Sequence, residues 1–316
     1  MISASVGAWI VAGDDAGLRL DKFLANPNRL GSRGRAVTAL ERGKVFVNDT
    51  EVSLDDAGRR LMVADDVRVW MDRPGSARAR RRPGAIGDLW IVYEDDALVV
   101  VNKPAGLLSV PLERRSELSS VQDQLSDYLR RRGRRRPFVV HRIDRDTSGL
   151  VVFAVTSRAQ QRLREQFKRH DATRIYLAVV YGTPKPESGL WNDHLVWDQT
   201  ALIQKETHPH DPRGKQAASE YRVVEAFRST SLIEVKLVTG KRNQIRLQAR
   251  LRGHTLVGEQ RYTYGPDTLR GVDFPRQALH AYRLGFEHPD SGEPLQFEAP
   301  VPQDMTDLLD HLRRKG

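Results

Sequence analysis

The sequence contains no cysteine and no long apolar run, and each absence excludes a class of protein. Without cysteine the chain can form no disulfide, no thiolate nucleophile and no cysteine-ligated zinc site. No stretch approaches the ~18 consecutive apolar residues of a membrane-spanning helix. Met1–Ile10 also lacks the basic start and apolar run of a secretory signal. We therefore expect a cytoplasmic protein with no membrane partner.

Sequence patterns typical of nucleotide-binding or metal-binding sites are missing as well. Neither a P-loop nor a GxGxxG segment after a predicted strand occurs. The segment His208–Asp211 has the spacing of metal ligands, but its proline and its loop-like surroundings favour a solvated turn. We therefore expect neither a metal nor a cofactor.

Acidic residues are outnumbered, with 41 Asp and Glu against 51 Lys and Arg and a net charge of +10. This excess suggests a polyanionic partner such as nucleic acid, although many soluble proteins are basic without one. Six arginines fall within Arg130–Arg136, where they repel one another unless they are solvated or bound to anions. Because the run closely precedes the polar segment described below, we favour phosphate contacts over a solvated surface. The arginines assigned to RNA are Arg130, Arg131, Arg134 and Arg135.

Apolar patterning divides the chain into a small module, a linker and a larger domain. Residues 13–70 carry two short helical patterns, the second opened by Ser32 as N-cap and ended by Gly43. Strand patterns follow at 44–48 and 67–69, with Asn48-Asp49 as a turn. Residues 71–86 lack apolar periodicity and are rich in arginine, proline and glycine, which predicts a flexible basic linker.

The remaining domain, 87–316, contains more strand patterns than helical patterns. Helical patterns cover 121–131 and 157–169, the second with Ser157 as its cap. The balance predicts an α+β fold with a mainly antiparallel mixed sheet. Strand patterns cover 90–93, 98–101, 150–156, 174–181, 221–225, 231–238 and 277–286.

The segment His141–Leu150, HRIDRDTSGL, is a dense polar string between apolar segments. Polar groups held between buried segments must be paired or serve a purpose. Its carboxylates, Asp144 and Asp146, are offset by Arg142 and Arg145, and Gly149 is free to adopt positive φ. Taken alone, a His-Arg-x-Asp string is better explained as a loop held by salt bridges.

The complete string resembles the signature loop of RluA-type RNA pseudouridine synthases, His-Arg-(Leu/Ile)-Asp-x-x-Thr-(Ser/Thr)-Gly. Other segments resemble the family in the family's order, over about 89–302. The resemblance implies isomerisation of uridine to pseudouridine in structured RNA, with Asp144 as the catalytic carboxylate. It implies Tyr176 as the active-site tyrosine and Arg246 as the basic partner of Asp144. The matching segments are EDDALVVVNKPAGL at 94–107, RIYLAVVYG at 174–182, TGKRNQIR at 239–246, GHTLVG at 253–258 and QALHA at 277–281.

The implied reaction breaks the bond from ribose to the base nitrogen and re-forms it at carbon 5, with no metal or redox cofactor. It requires an ionised carboxylate, which a neighbouring arginine stabilises in a poorly solvated pocket. The target base must leave its stack, so Tyr176 is expected to stack on it or to help remove the carbon 5 proton. Arg142 is expected to fill the vacated space. Asp144 could attack the ribose, attack the base or abstract a ribose proton.

The N-terminal module resembles the αL-type RNA-binding module of a small-subunit ribosomal protein. The resemblance rests on RLDKFL at 19–24, Ser32-Arg33 and GKVFVN at 43–48. An accessory domain without RNA contact is the alternative. The residues assigned to RNA in this module are Arg19, Lys22, Ser32, Arg33 and Lys44.

Two positions and one short segment depart from the family's pattern. Asn243 stands where His commonly precedes the Gln-(Ile/Leu)-Arg element, Glu259 replaces the usual Asp, and 108–111 replaces a Val-x-His-Pro ending. We expect these changes to affect the choice of substrate more than the chemistry. A monomer acting on ribosomal RNA, rather than transfer RNA, is favoured. The alternatives are a non-catalytic RNA-binding or ribosome-assembly factor and a metal-dependent RNA hydrolase.

Overall fold

The computed structural model describes residues 6–41, 43–70, 84–86, 89–111, 119–131, 136–263, 265–266 and 270–315. The chain divides into two compact units, Met1–Arg82 with Tyr93–Asp96 and Pro83–Val92 with Ala97–Gly316. Of the predicted linker, residues 71–83 lie outside the described residues, and Gly84–Ile86 forms a strand.

The first unit combines an antiparallel sheet of order β1-β4-β2-β3 with two helices. Ser32 Oγ accepts the backbone N–H of Arg35 at 3.2 Å, which confirms the predicted N-cap. Asn48 and Asp49 have φ of 51° and 62° and form the predicted tight turn between β2 and β3. The elements are β1 Val6–Ile10, α1 Leu20–Leu24, α2 Arg33–Glu41, β2 Val45–Val47, β3 Thr50–Val52 and β4 Asp66–Trp70, with 3-10 turns at Gly13–Asp15 and Leu54–Asp56.

Apolar side chains from both helices and three of the strands form the core of this unit. Phe23 and Leu24 of α1 pack with Leu40 of α2 and with Val45 and Val67 of the sheet, all essentially inaccessible to solvent. Strand β1 was not predicted from the sequence, and it pairs with β4 over Val6–Ile10.

A twelve-stranded mixed sheet organises the rest of the described chain. Its order is β12-β11-β13-β14-β10-β15-β9-β7-β6-β5, and β16 and β8 pair with β15 and β9. All described pairings in it are antiparallel except the short parallel contact of β9 with β15. The strands are β5 Gly84–Ile86, β6 Leu89–Glu94, β7 Leu98–Lys103, β8 Phe138–Val139, β9 Ser148–Ala154, β10 Thr173–Tyr181, β11 Ser188–Asp198, β12 Ile203–Thr207, β13 Lys215–Ala226, β14 Thr230–Leu237, β15 Leu279–Glu287 and β16 Pro294–Glu298.

Helices cover both faces of this sheet. Successive residues of a strand point to opposite sides, so neighbouring residues of β10 contact different helices. Tyr176 and Ala178 of β10 share a core with Ile245 of α5, whereas Leu177 packs with Met305 of α6. The tyrosine and α5 therefore lie on the same face of the sheet. The helices are α3 Val121–Arg130, α4 Ser157–Arg169, α5 Gln244–Leu251 and α6 Gln303–Lys315.

The α+β class with a mainly antiparallel mixed sheet, predicted from the sequence, is confirmed. One local prediction was wrong: Thr156, not Ser157, caps α4, and its hydroxyl accepts the N–H of Ala159 at 3.1 Å. The sequence analysis also missed β3, β11, β12, β16, α5 and α6. Strand β11 buries only Trp191 and Leu195 of its eleven residues, so it shows no clear alternation.

His280 of β15 is a fully buried histidine that makes stability depend on pH. Its Nδ1 lies 2.9 Å from Ser148 Oγ, and its Nε2 lies 3.4 Å from the Ala299 carbonyl oxygen. Burial, opposed by the Ala299 carbonyl and reinforced by the Arg276 cation, lowers the pKa of His280 from 6.5 to about 4. Between these values the unfolded chain binds a proton that the folded chain does not. Acidification through this window therefore lowers the free energy of unfolding.

We expect the His280 contribution to reach about 1.4 kcal/mol per pH unit between the two pKa values. His280→Gln should reduce the dependence of stability on pH in this window. Urea unfolding of both proteins at several pH values from 4.5 to 6.5 measures the two slopes. Identical slopes would show that His280 does not carry the effect.

Candidate active site

A cavity of about 610 Å³ brings together the three residues assigned to catalysis. Asp144 comes from the loop between β8 and β9, Tyr176 from β10 and Arg246 from α5. Asp144 and Arg246 are 102 residues apart in the sequence and in direct contact in the fold. Arg142, assigned to RNA, lines the same cavity.

The loop that carries Asp144 is held by two buried side chains, Lys103 at the end of β7 and Ser109 in the segment that follows. Lys103 Nζ donates to the carbonyl oxygens of Arg145 at 2.7 Å and of Leu107 and Pro104 at 2.8 Å. Burial, partly offset by the charge of Asp146, lowers the pKa of Lys103 to about 7. The sequence analysis did not single out Lys103, although it lies in a segment that resembles the family.

Ser109 fixes the same loop from a second side. Its hydroxyl donates to the Ile143 carbonyl oxygen at 2.7 Å and accepts the Ile143 N–H at 3.2 Å. Ser109 belongs to one of the three departures from the family's pattern. At the other end of the loop, Gly149 has a φ of 111°, and a methyl group there would overlap the Ala281 carbonyl. The positive φ anticipated for Gly149 is confirmed.

Arg246 stands between two carboxylates. Its Nη1 donates to Asp144 Oδ2 at 3.1 Å, while Nε and Nη2 donate to the two oxygens of Glu259 at 2.6 and 2.7 Å. The Glu259 side chain is fully buried, and that of Asp144 is 28 % exposed. The fork with Glu259 fixes the plane of the guanidinium, so that its remaining nitrogen addresses Asp144.

The charges in this cluster stabilise one another. Burial disfavours the Arg246 cation, but Glu259 and Asp144 outweigh it and raise the pKa of Arg246 above its ordinary value. Burial also opposes ionisation of Glu259, yet Arg246 and the N–H groups of Arg261 and Tyr262 hold the pKa of Glu259 below its usual range. Both partners are therefore charged at neutral pH.

Asn243, the residue that replaces the family's His, contacts Asp144 directly. In the amide orientation that satisfies its neighbours, Nδ2 donates to both carboxylate oxygens of Asp144 at 2.8 and 2.9 Å. Its Oδ1 then accepts the hydroxyl of Tyr262 at 3.0 Å, and that hydroxyl accepts the N–H of Gln204. Asn243 has a φ of 52° at the N-terminus of α5, a conformation that Asn tolerates better than most residues. The sequence analysis noted both departures, Asn243 and Glu259, but not their contacts with Asp144 and Arg246.

Tyr176 lines the cavity as a buried phenol. Only 7 % of its surface is exposed. Burial raises the pKa of Tyr176 to about 12, with Asp144 adding to the effect and the Arg174 cation opposing it. The phenol is therefore protonated at neutral pH.

His141 opens the polar string as a neutral structural ring. Its Nε2 accepts the backbone N–H of Val152 at 3.2 Å, and it stacks on Phe167 with ring centroids 4.6 Å apart. Burial and the nearby Arg174 cation lower the pKa of His141 to about 3. The imidazole is therefore uncharged near neutral pH.

The residues assigned to RNA differ in exposure. Arg19 and Arg33 are 43 % and 74 % exposed at their side chains and share the buried carboxylate of Asp21. Lys44 is only 9 % exposed, which does not favour direct RNA contact. Arg134 and Arg135 lie outside the described residues. The other exposed members of the set are Lys22, Ser32, Arg130, Arg131 and Arg142.

No group of three or more metal-ligating side chains is gathered within the described ranges. Asp211, next to His210, instead accepts hydrogen bonds from Thr207 and Arg213. None of the described helices is long and apolar enough to cross a membrane.

Comparison with known proteins identifies the family of this chain. Residues 97–251 match the family model of RNA pseudouridylate synthases. An uncharacterised RNA pseudouridine synthase of Bacillus subtilis is 36 % identical over 94 % of this chain and 95 % of its own. Ribosomal large subunit pseudouridine synthase D of Zymomonas mobilis is 36 % identical over 92 % of each chain.

Solved structures share the fold. The human protein RNA pseudouridylate synthase domain containing 4 aligns with a TM-score of 0.59 at 20 % identity, over 71 % of this chain and 92 % of its own. The two sequence relatives named above are 36 % identical over more than nine-tenths of this chain, so they show the family and not the fold alone. The chain belongs to the RluA-type RNA pseudouridine synthases, and it is an isomerase that converts uridine to pseudouridine in RNA.

Proposed function

We propose that this enzyme modifies a uridine of large-subunit ribosomal RNA and that Asp144, Tyr176 and Arg246 carry the reaction. The convergence of these three side chains in one cavity supports the catalytic assignment. Relatives of Zymomonas, Vibrio and Salmonella that match more than nine-tenths of this chain carry the name ribosomal large subunit pseudouridine synthase D. Their names favour ribosomal RNA over transfer RNA.

In this proposal Arg246 and Asn243 orient the Asp144 carboxylate. Asn243 donates to both oxygens and Arg246 to Oδ2, and these charge-assisted hydrogen bonds fix the direction of the carboxylate in the cavity. A carboxylate so held can attack carbon or accept a proton once the target base enters the cavity. Tyr176, as a neutral phenol, contacts the flipped uracil with its ring, a contact worth ~1–3 kcal/mol per stacked base.

RNA reaches the site along exposed basic residues. Arg142, Lys241 and Arg242 line the cavity and carry no carboxylate partner in the described hydrogen-bond network. In this proposal Arg142 fills the space that the flipped base leaves. In the first unit, Arg19, Lys22 and Arg33 present further exposed cations.

Mapping pseudouridine in ribosomal and transfer RNA from wild-type and deletion cells tests the substrate. We expect one or more large-subunit positions to lose pseudouridine in the deletion strain and to regain it with the wild-type gene. Purified enzyme should modify the same positions in a transcript that contains no pseudouridine. Loss of pseudouridine from transfer RNA alone would overturn the ribosomal assignment.

The arginine run makes a separate prediction about affinity. Arg130, Arg131 and Arg136 are exposed, and each phosphate contact that they make adds to the counterions released on binding. Replacing all three with Ser should weaken RNA binding and flatten the plot of log K against log salt by up to about 0.9 per lost contact. Filter binding at several salt concentrations measures the slope.

A triple replacement of equal charge provides the control. Arg313, Arg314 and Lys315 at the end of α6 do not line the cavity, so their replacement by Ser should leave the slope nearer the wild-type value. Equal slopes for the two triple variants would mean that the run at 130–136 makes no specific contact.

A further inference from the structure

Arg174 is a buried arginine that lacks an ionic partner among the described residues. It lies on β10 two positions before Tyr176, and only 8 % of its surface is exposed. Its Nε and Nη2 are both fully buried with no hydrogen-bond partner in the described structure. Burial lowers the pKa of Arg174, opposed by the nearby Tyr176. Burying a cation without hydrogen-bond partners lowers the stability of the free protein.

Its surroundings fix the guanidinium in place. The Arg174 Cζ lies 5.5 Å from the centroid of the Phe167 ring. On another side the backbone of Gly240 approaches so closely that a methyl group there would overlap Nη1. The guanidinium is therefore fixed in position, while its Nε and Nη2 have no hydrogen-bond acceptor in the described structure.

Arg174 also belongs to the active-site cavity. It lines the cavity together with Asp144 and Tyr176, and its cation affects the pKa of both Tyr176 and His141. Asp144 is already served by Arg246 and Asn243, so Arg174 is not needed to hold the catalytic carboxylate. Its free donors await an acceptor that enters with the substrate.

We propose that Arg174 binds an oxygen of the target uracil and stabilises the negative charge that the ring acquires during isomerisation. This inference rests on the proposal that the flipped uracil occupies this cavity. When the N1–C1′ bond breaks, its electron pair remains on uracil and spreads over N1, O2, N3 and O4. Carbon 5 then bonds to C1′, loses its proton, and N1 gains one, so that atoms and charge balance without a co-reactant. A pre-positioned cation where charge develops favours the transition state over the ground state.

An arginine binds anionic oxygens in general, and the phosphate of the target nucleotide offers one as well as the uracil ring. Arg174 lies beside Tyr176 and not among the exposed cations. This position favours a contact with the uracil ring over a contact with the phosphate. A phosphate contact would chiefly change affinity and its salt dependence. A contact with the departing ring would change the rate of the chemical step.

Arg174→Met, of similar length and without charge, tests the proposal under single-turnover conditions on any RNA that the wild-type enzyme modifies. We expect the rate to fall at least about 100-fold, consistent with loss of one stabilising donor group, while RNA affinity stays within threefold. The midpoint of thermal unfolding should not fall, because a buried unpaired cation is removed. Arg174→Lys should recover part of the rate.

A substrate with a better leaving group separates chemistry from structure. In RNA carrying 5-fluorouridine the detached ring is a more stable anion, so cleavage of N1–C1′ should depend less on Arg174. The ratio of wild-type to Arg174→Met cleavage rates is expected to be about tenfold smaller for this RNA. Arg222→Met provides the control, because Arg222 is exposed on the same sheet, pairs with Glu234 and lies outside the cavity.

Two results would overturn the inference. An equal loss of rate on both RNAs together with a lower unfolding midpoint would make Arg174 a structural residue. An unchanged rate with weaker binding and a flatter salt dependence would assign it to a phosphate. If the wild-type enzyme modifies transfer RNA and not ribosomal RNA, the proposed substrate fails, and the test of Arg174 proceeds on the RNA that is modified.

Discussion

Asp144→Asn is expected to lower the rate of pseudouridine formation by about 10⁴-fold or more, the scale seen when an essential reactive group is removed. The amide keeps the shape of the side chain but can neither attack carbon as an anion nor accept a proton effectively. Arg246 stays paired with Glu259 in this variant, so we expect the fold to persist. Single-turnover release of tritium from carbon 5 of labelled uridine measures the rate, and filter binding measures affinity.

The same loop supplies the matched control. Asp146 is two residues further along, and its carboxylate is paired with the exposed side chain of Arg145. Asp146→Asn should therefore retain activity to within about tenfold, as for a surface ion pair of small energetic value. Activity of Asp144→Asn within tenfold of wild type would refute the assignment of Asp144.

Arg246→Met is expected to reduce both activity and stability. It leaves the fully buried Glu259 carboxylate with only the N–H groups of Arg261 and Tyr262 as donors. Breaking one partner of a buried ion pair typically costs about 3–5 kcal/mol of unfolding free energy. Asp144 also loses its cation, so we expect the rate to fall by about 10²–10³-fold, as when a charge-stabilising donor is removed from an active site.

A double variant separates these two losses. In Arg246→Met/Glu259→Gln the buried charge is absent, so much of the stability should return while the activity stays low. Urea unfolding of the wild type, both single variants and the double variant completes a mutant cycle for the pair. Recovery of activity in the double variant would mean that Arg246 matters only for the fold and not for Asp144.

Local features of the first unit were predictable from the sequence alone. Ser32 precedes a helical pattern and caps it, and Asn48-Asp49 joins two short strands through residues that tolerate positive φ. These outcomes depend on neighbours within about four positions, which the sequence displays directly. Strands such as β10 were predictable for the same reason, because their apolar residues are contiguous.

Elements with weaker local signals required the tertiary structure. Strand β11 has few buried positions and gains its hydrogen bonds from β12 and β13, so its extended form depends on pairing with other segments. Helix α6 presents Met305, Leu308 and Leu312 to the sheet. Helix α6 is the exception, because these apolar residues recur at helical spacing in the sequence and the sequence analysis overlooked them.

The sequence by itself determined the chemistry, because the string around Asp144 and the ordered segments with Tyr176 and Arg246 resemble one enzyme family. It did not determine how these groups are supported. Glu259, Asn243 and Lys103 act through partners that the fold brings to them, up to 42 residues away for Lys103. Residue type reports that a side chain can be charged, but its pairing depends on which distant segments the sheet places beside it. For the same reason, only the tertiary structure shows that Arg174 is buried in the cavity with unused donors.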